Sequence, residues 1–270
     1  STRASLYKDE APLILRPSLY DVWRFLPYGI IISIIMNNKK LTFVYICRSG
    51  ENEELRYSIR SILNSFPNAA IWVFGEPPEW YDGDYVKIKQ TQDKYTNAYN
   101  NLRAIADASF LPNDVIVMND DFYIIKKIDK IEYFYEGSLE DKDNLYYDSY
   151  PESSYTRKIT NTLARLRKKG VQAPASYELH VPFPVKRSNL SRMVGSTNYL
   201  WRSMYGNTFN VGGKKMEDVK IYSNTRMNFK NHDMYESEMA FLSSDDKSFE
   251  TIKENILDKL FKDPTGLERW

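Results

Sequence analysis

Cysteine is almost missing from this chain. Cys47 is the one cysteine in 270 residues, which excludes an intrachain disulfide framework and any zinc site built on cysteines. The want of disulfides fits a reducing cytoplasm. Histidine is scarce too: His180 and His232 leave little for a histidine-rich metal centre. Long apolar runs are also lacking. The longest, Tyr28–Met36, is interrupted by Gly29 and Ser33 and falls well short of the roughly 20 residues a membrane helix needs. It has neither the basic start nor the small-residue exit of a signal peptide, and reads as buried or interfacial. Charge of one sign is not in excess, and a net +1 provides no global basic field to recruit nucleic acid, leaving at most a local patch. Internal repeats and low-complexity segments are absent.

What is present describes a globular chain. Hydrophobic residues make up 42% and charged residues 27% of the sequence, the balance of a protein that buries a core. Its 21 tyrosines provide half-polar surfaces suited to stacking bases or sugars and equally at home in ordinary cores. Residues 1–40, punctuated by Pro12, Pro17 and Pro27, read as an extension with a short helix at Ser18–Phe25 and a strand at Tyr28–Met36. From Leu41 the pattern sharpens. Leu41–Cys47 is a strand. Glu53–Phe66 is a helix with Leu55, Ile59, Ile62, Leu63 and Phe66 on one stripe, capped by Asn52 or Ser49. Ala70–Phe74 and Tyr85–Lys89 are strands, and Asn97–Ala108 is a helix. The spacing predicts an α/β nucleotide-binding half over residues 41–128 with a mainly parallel sheet. Residues 129–270 follow as an irregular α+β part. Within it Asp141–Ser153 reads as an acidic loop, Ser154–Gly170 as a basic helix and Tyr177–Val185 as an extended segment, since its prolines bar a helix.

The chemistry concentrates at Asp114–Ile125. Val115–Met118 is a strand buried on both faces, and it delivers Asn119, Asp120 and Asp121 to its carboxyl end. Adjacent carboxylates beside a buried strand repel each other and lose hydration. Mg²⁺ or Mn²⁺ would neutralise them, because hard oxygens suit such a cation and it usually takes substrate phosphates as well. Asp120 and Asp121 are therefore the candidate metal residues, and Asn119 a residue that orients a ligating carboxylate or the bound substrate. Arg56 and Arg60 lie one helical turn apart, off the apolar stripe, where guanidinium forks can grip phosphate, with Glu54 to orient an arginine. Ion pairing with Glu53 or Glu54 is the plain alternative. Lys94, Tyr95 and Asn97 follow the third strand and are candidates to hold a base or ribose, Tyr95 by stacking. His180, on a proline-stiffened segment, is a candidate base. Asp218 and Lys220 alternate along a strand and can share a cleft, and Glu238 is a further candidate acid. His232 is a weaker one.

Several of these segments together resemble a known family. Asn52-Glu53-Glu54-Leu55-Arg56-Tyr57-Ser58-Ile59-Arg60-Ser61-Ile62 looks like the signature of the Stealth sugar-phosphotransferases, and Met118-Asn119-Asp120-Asp121-Phe122 resembles that family's second conserved region. Similarity to a shorter, phage-type group of glycosyltransferase-like proteins extends through Tyr177-Glu178-Leu179-His180, Arg202–Asn207 and Asp218-Val219-Lys220. The resemblance spans roughly residues 42–246. It implies a GT-A-like nucleotide-sugar fold, a metal at the acidic strand end, and Arg202 and Asn207 as substrate contacts. One departure matters. The first strand ends Ile46-Cys47-Arg48-Ser49-Gly50, where the Stealth family has a Trp-Val-Asp/Asn-Gly-like stretch. That weighs for plain glycosyl transfer from a nucleotide-diphosphate sugar over sugar-1-phosphate transfer. A non-catalytic nucleotide- or glycan-binding module is the third expectation. The acceptor hydroxyl is left open between a modified DNA base and a cell-surface glycan.

Overall fold

A computed structural model describes residues 40–193, 195–223 and 240–269. The expected helix Ser18–Phe25, the expected strand Tyr28–Met36, and His232 and Glu238 lie outside the described residues. Residues from Leu41 onward make one unit by contact.

Strand β1 (Thr42–Cys47) is buried along nearly its whole length. Successive side chains alternate between two cores. Phe43, Tyr45 and Cys47 enter one, and Val44 enters the other, as a two-residue period requires. Helix α1 (Glu53–Ser65) lays Leu55, Ile59 and Ile62 on the Phe43 face. Its cap is Asn52, whose side chain accepts the Leu55 N–H. Strands β2 (Ala70–Gly75) and β3 (Asp84–Lys87) extend the sheet in parallel. Helix α2 (Lys94–Asp107) packs Leu102, Ile105 and Ala106 on the opposite, Val44 face. It starts earlier than the expected Asn97, because the Asp93 carboxylate accepts the N–H groups of Tyr95 and Thr96. Strand β4 (Asp114–Asn119) then pairs parallel with β1 on the side away from β2.

At Asp120-Asp121 the chain turns and changes sheets. Strand β5 (Phe122–Ile124) is held by α1, with Ser58 Oγ donating to the Phe122 carbonyl and Ile124 N–H donating to Ser61 Oγ. Two-residue strands β6 (Phe134–Tyr135) and β7 (Gly137–Ser138) lead to α3 (Leu139–Ser149) and α4 (Ser154–Lys168). Asp141–Ser153, expected as a loop, is largely α3. Ser138 accepts the N–H groups of Glu140 and Asp141, and those two acids occupy the first turn, where the helix dipole favours them. Tyr146 of α3 packs edge-on against Tyr155 of α4. The chain continues through β8 (Ala175–Ser176), β9 (Phe183–Lys186), α5 (Arg187–Met193), α6 (Trp201–Thr208), β10 (Lys214–Lys215), β11 (Lys220–Ile221) and β12 (Phe241–Ser244). It closes in a helical stretch, Phe249–Leu260, that widens at Lys253–Leu257.

The main sheet has the order β3-β2-β1-β4-β9, parallel except for β9 at the edge. This is the mixed α/β architecture, with a mostly parallel central sheet flanked by helices, that the sequence predicts. The order matters for function. Between β1 and β4 the succession of strands reverses direction, and in open α/β sheets such a switch point is where the loops diverge and leave a crevice for ligands. A second sheet, β11-β12-β5, stands beside that crevice. Its register sets Ser243 opposite both Phe122 and Lys220. Gly75 lets the end of β2 lie close against the end of β1. At φ +137° a Cβ there would lie 2.0 Å from the Cys47 carbonyl oxygen, so only glycine fits.

Candidate functional site

The crevice is where Asn119, Asp120 and Asp121 arrive. Asp120 is 14% exposed. It accepts from Asn52 Nδ2 at 2.8 Å and lies 3.3 Å from Arg48 Nε. Asn52 reaches it because this residue sits in the left-handed region, φ 45°, which asparagine tolerates better than most. Burial, and next the neighbouring Asp121, push the Asp120 carboxyl up to about 7, against the pull of Arg48 and Asn52. Arg48 also grips Glu54 and Asp246, each at 2.8 Å. Although burial opposes its charge, Asp120 and Glu54 hold its guanidinium above the ordinary arginine value. Asp121 faces the second sheet. Its Oδ2 accepts from Lys220 Nζ at 2.8 Å and Ser243 Oγ at 3.2 Å, a pair brought side by side by the strand register. Its Oδ1 is buried and finds no hydrogen-bond partner among the described residues.

A second cluster adjoins the acids. His180 Nδ1 and Asp218 Oδ2 are 2.7 Å apart, and Asp218 Oδ1 accepts the His180 N–H at 3.0 Å and the Val219 N–H at 2.9 Å. Burial opposes ionisation of Asp218, but the hydrogen bond and charge of His180 outweigh it and hold the carboxyl below its usual range. An ionised carboxylate can only accept, so Nδ1–H donates, and in the tautomer that carries its one proton there Nε2 is the acceptor. His180 stands edge-on to Phe122, centroids 6.0 Å apart. On Phe122 also lies the Arg202 guanidinium, at 5.3 Å, with Trp201 on it at 4.8 Å. Arg202 is 8% exposed and donates to Asn119 Oδ1 at 3.1 Å. Its buried Nε has no hydrogen-bond partner among the described residues. Burial lowers its pKa, with Glu178 and Asp121 pulling the other way.

The structure thus gathers Asn119, Asp120, Asp121, His180, Arg202, Asp218 and Lys220, and joins Glu54 to them through Arg48. Other candidates are engaged elsewhere. Arg56 and Arg60 close on Glu268, Arg60 through Nε at 2.8 Å and Nη2 at 2.6 Å, Arg56 through Nη1 at 3.0 Å. They also lie over the rings of Trp80 and Tyr57. Their shared face therefore anchors the C-terminal segment, and the structure does not bring it to the acids. Neither expected partner, Glu53 nor Glu54, takes them. Asn97 ties down its own loop through Thr91. Asn207 bridges Ala175 and Ser203 of its own neighbourhood. Lys94 lies over the Tyr95 ring, and Tyr95 lines a separate pocket. Arg48 and Ser243 are site residues that sequence reasoning passed over. Arg48 carried one usable signal, since it is the first residue past the carboxyl end of β1.

Among the described residues no group of three or more histidines, cysteines or acids could hold a metal ion. No described helix is long and apolar enough to cross a membrane. Comparison with protein families finds no family model that matches, and comparison with curated proteins finds no match either.

Proposed function

We propose that the chain is a metal-dependent glycosyltransferase that moves a sugar from a nucleotide-diphosphate sugar to an acceptor hydroxyl. One observation carries this reading. At the switch point of a mainly parallel sheet, two half-buried acids converge with Lys220, Arg202 and the His180–Asp218 pair. The residue resemblance described above points the same way.

The acids fit a hard divalent cation. Their donors are carboxylate oxygens, Asp121 Oδ1 has no hydrogen-bond partner among the described residues, and burial beside Asp121 disfavours the charge on Asp120, a cost that a cation relieves. Two carboxylates suffice for Mg²⁺ or Mn²⁺, which commonly complete their shell with water and substrate phosphate. Asp120 and Asp121 would hold it, and once bound it supplies positive charge that stabilises a departing nucleotide diphosphate.

The protein's own groups supply the rest. Arg202 and Lys220 place further positive charge where the diphosphate develops its negative charge. The acceptor oxygen attacks the anomeric carbon while the bond from that carbon to the diphosphate oxygen breaks and its electron pair leaves with the diphosphate. His180 Nε2 takes the hydroxyl proton, and Asp218 balances the imidazolium that forms.

The test is release of nucleoside diphosphate from a panel of nucleotide-diphosphate sugars with Mn²⁺ or Mg²⁺. Wild type should release it in a metal-dependent way, and folded Asp121→Ala should not. Undiminished release by Asp121→Ala would refute the assignment. Product mass separates the rival reading, because phosphate retained on the product would mean sugar-1-phosphate transfer.

A further inference from the structure

The chemistry above leaves Arg48 without a task, although it stands among the acids of the site. Each of its three guanidinium nitrogens faces a carboxylate. Nη2 lies 2.8 Å from Glu54, Nη1 2.8 Å from Asp246 and Nε 3.3 Å from Asp120. The three acids come from α1, from the residues just past β12 and from the β4–β5 turn. Arg48 itself follows the last residue of β1. One side chain therefore ties the main sheet to the second sheet on the solvent side of Asp120.

The three contacts are unequal. The Glu54 side chain is 9% exposed, whereas that of Asp246 is 77% exposed. Breaking the pair with Glu54 would strand a buried carboxylate, which is costly. The pair with Asp246 is a surface pair, screened by water and weak. Arg48 is itself 47% exposed, so an entering anion reaches it without unpacking the core. Its place beside Asp120 makes such an exchange useful. Asn52 and Arg48 both approach Asp120 at Oδ2, and Lys220 and Ser243 both approach Asp121 at Oδ2. That leaves Oδ1 of each acid for a cation. A cation there carries phosphate oxygens in its own shell, roughly 2 Å away, and so brings them within reach of the Arg48 guanidinium.

We propose that the Arg48–Asp246 pair is a latch that the phosphates of an entering ligand open. The guanidinium keeps Glu54, gives up Asp246, and turns the freed nitrogen to phosphate oxygens, which its planar fork matches as well as it matches a carboxylate. Asp246 is a positioning residue. It holds Arg48 between the two sheets and competes with the diphosphate for it. The latch rests on the donor reading above and goes beyond it, because it makes phosphate charge, and not the base or the sugar, the key to entry.

The experiment is a double-mutant cycle on the full chain, read by calorimetry as binding of inorganic pyrophosphate with Mg²⁺. Asp246→Asn, a change at an exposed position, should tighten pyrophosphate about threefold, the scale of one competing surface ion pair. Arg48→Gln should weaken it by about tenfold, as loss of a charged hydrogen-bonding group does. In the Arg48→Gln background, Asp246→Asn should change nothing. Should Arg48→Gln fail to fold because Glu54 is stranded, Arg48→Gln with Glu54→Gln supplies the same background. Two results would overturn the latch. One is equal pyrophosphate binding by wild type and Asp246→Asn. The other is the same gain from Asp246→Asn with and without Arg48, which would mean that the ligand feels only the charge of Asp246 at a distance. If the latch fails in either way while Asp121→Ala abolishes pyrophosphate binding, the donor reading stands. No pyrophosphate binding by wild type, with no release of diphosphate from nucleotide sugars, would overturn both.

Discussion

Asp120→Asn is the most informative single change, because the buried acid makes stability depend on pH in an unusual direction. A carboxyl whose folded pKa is about 7, against 3.8 for an ordinary aspartate, keeps its proton in the folded state when the unfolded chain has already lost it. Between those values the folded state binds more protons, so stability falls as pH rises and levels off above pH 7. At 1.36 kcal/mol per pKa unit the ceiling is about 4 kcal/mol. Ionisation is shared with Asp121, so about half of that is expected to appear. The lowered carboxyls, Asp218, Asp245 and Glu268, act in the opposite sense, and at lower pH. Urea unfolding from pH 5 to 8 isolates the effect. Wild type should lose about 1.3 kcal/mol across that window, half of the 1.36 kcal/mol per pH unit that applies between pH 5 and 7, Asp120→Asn should lose much less, and the variant should be the more stable protein at pH 8. Mn²⁺ at pH 8 should restore wild type and leave the variant nearly unmoved. Parallel pH profiles for the two proteins would refute the reasoning, since Asp120 would then carry no unusual proton.

Three further outcomes follow from the same contacts. Lys220→Met strands Asp121 and should destabilise by about 2 kcal/mol in chemical denaturation, with Asp121→Asn in the same chain recovering at least half. Arg60→Ala leaves the buried Glu268 with Arg56 as its remaining guanidinium; a loss of about 3 kcal/mol and earlier proteolytic clipping of the C-terminal segment are expected. Gly75→Ala forces a methyl against the Cys47 carbonyl in a backbone shape closed to alanine, and should cost about 3 kcal/mol or more, read as a lower melting temperature or as loss of folded protein.

The first half of the fold is legible because its signals are local. Leu55, Ile59 and Ile62 recur at helical spacing, and Val115–Met118 is a buried run that ends on its acids. The interior of the site is legible in part: Asp218 and Lys220, two positions apart, do come to the same site, although the strand is only Lys220–Ile221 and Asp218 precedes it. Other features depend on distant partners. Spacing shows that Arg56 and Arg60 share a face but not what the face meets, and Glu268 lies 208 positions beyond Arg60. Arg48 reads as a solvated loop residue until β4 is known to lie next to β1. Helix α3 eluded the pattern because Asp141–Tyr147 carries little apolar period, and its stability comes from Ser138 and from the ring of Tyr155.

The register that joins Lys220 and Ser243 on Asp121 has a consequence for biosynthesis. The ammonium lies 99 positions downstream of the acid, and the hydroxyl 122. A ribosome therefore makes the β4–β5 turn long before the groups that meet Asp121, and while Arg48 and Asn52 are already there for Asp120, the nascent segment carries an unmatched charge at Asp121 next to apolar strands. Final closure of that region waits until Lys220 and Ser243 have emerged, which makes the emerging chain a natural client for chaperones in the interval.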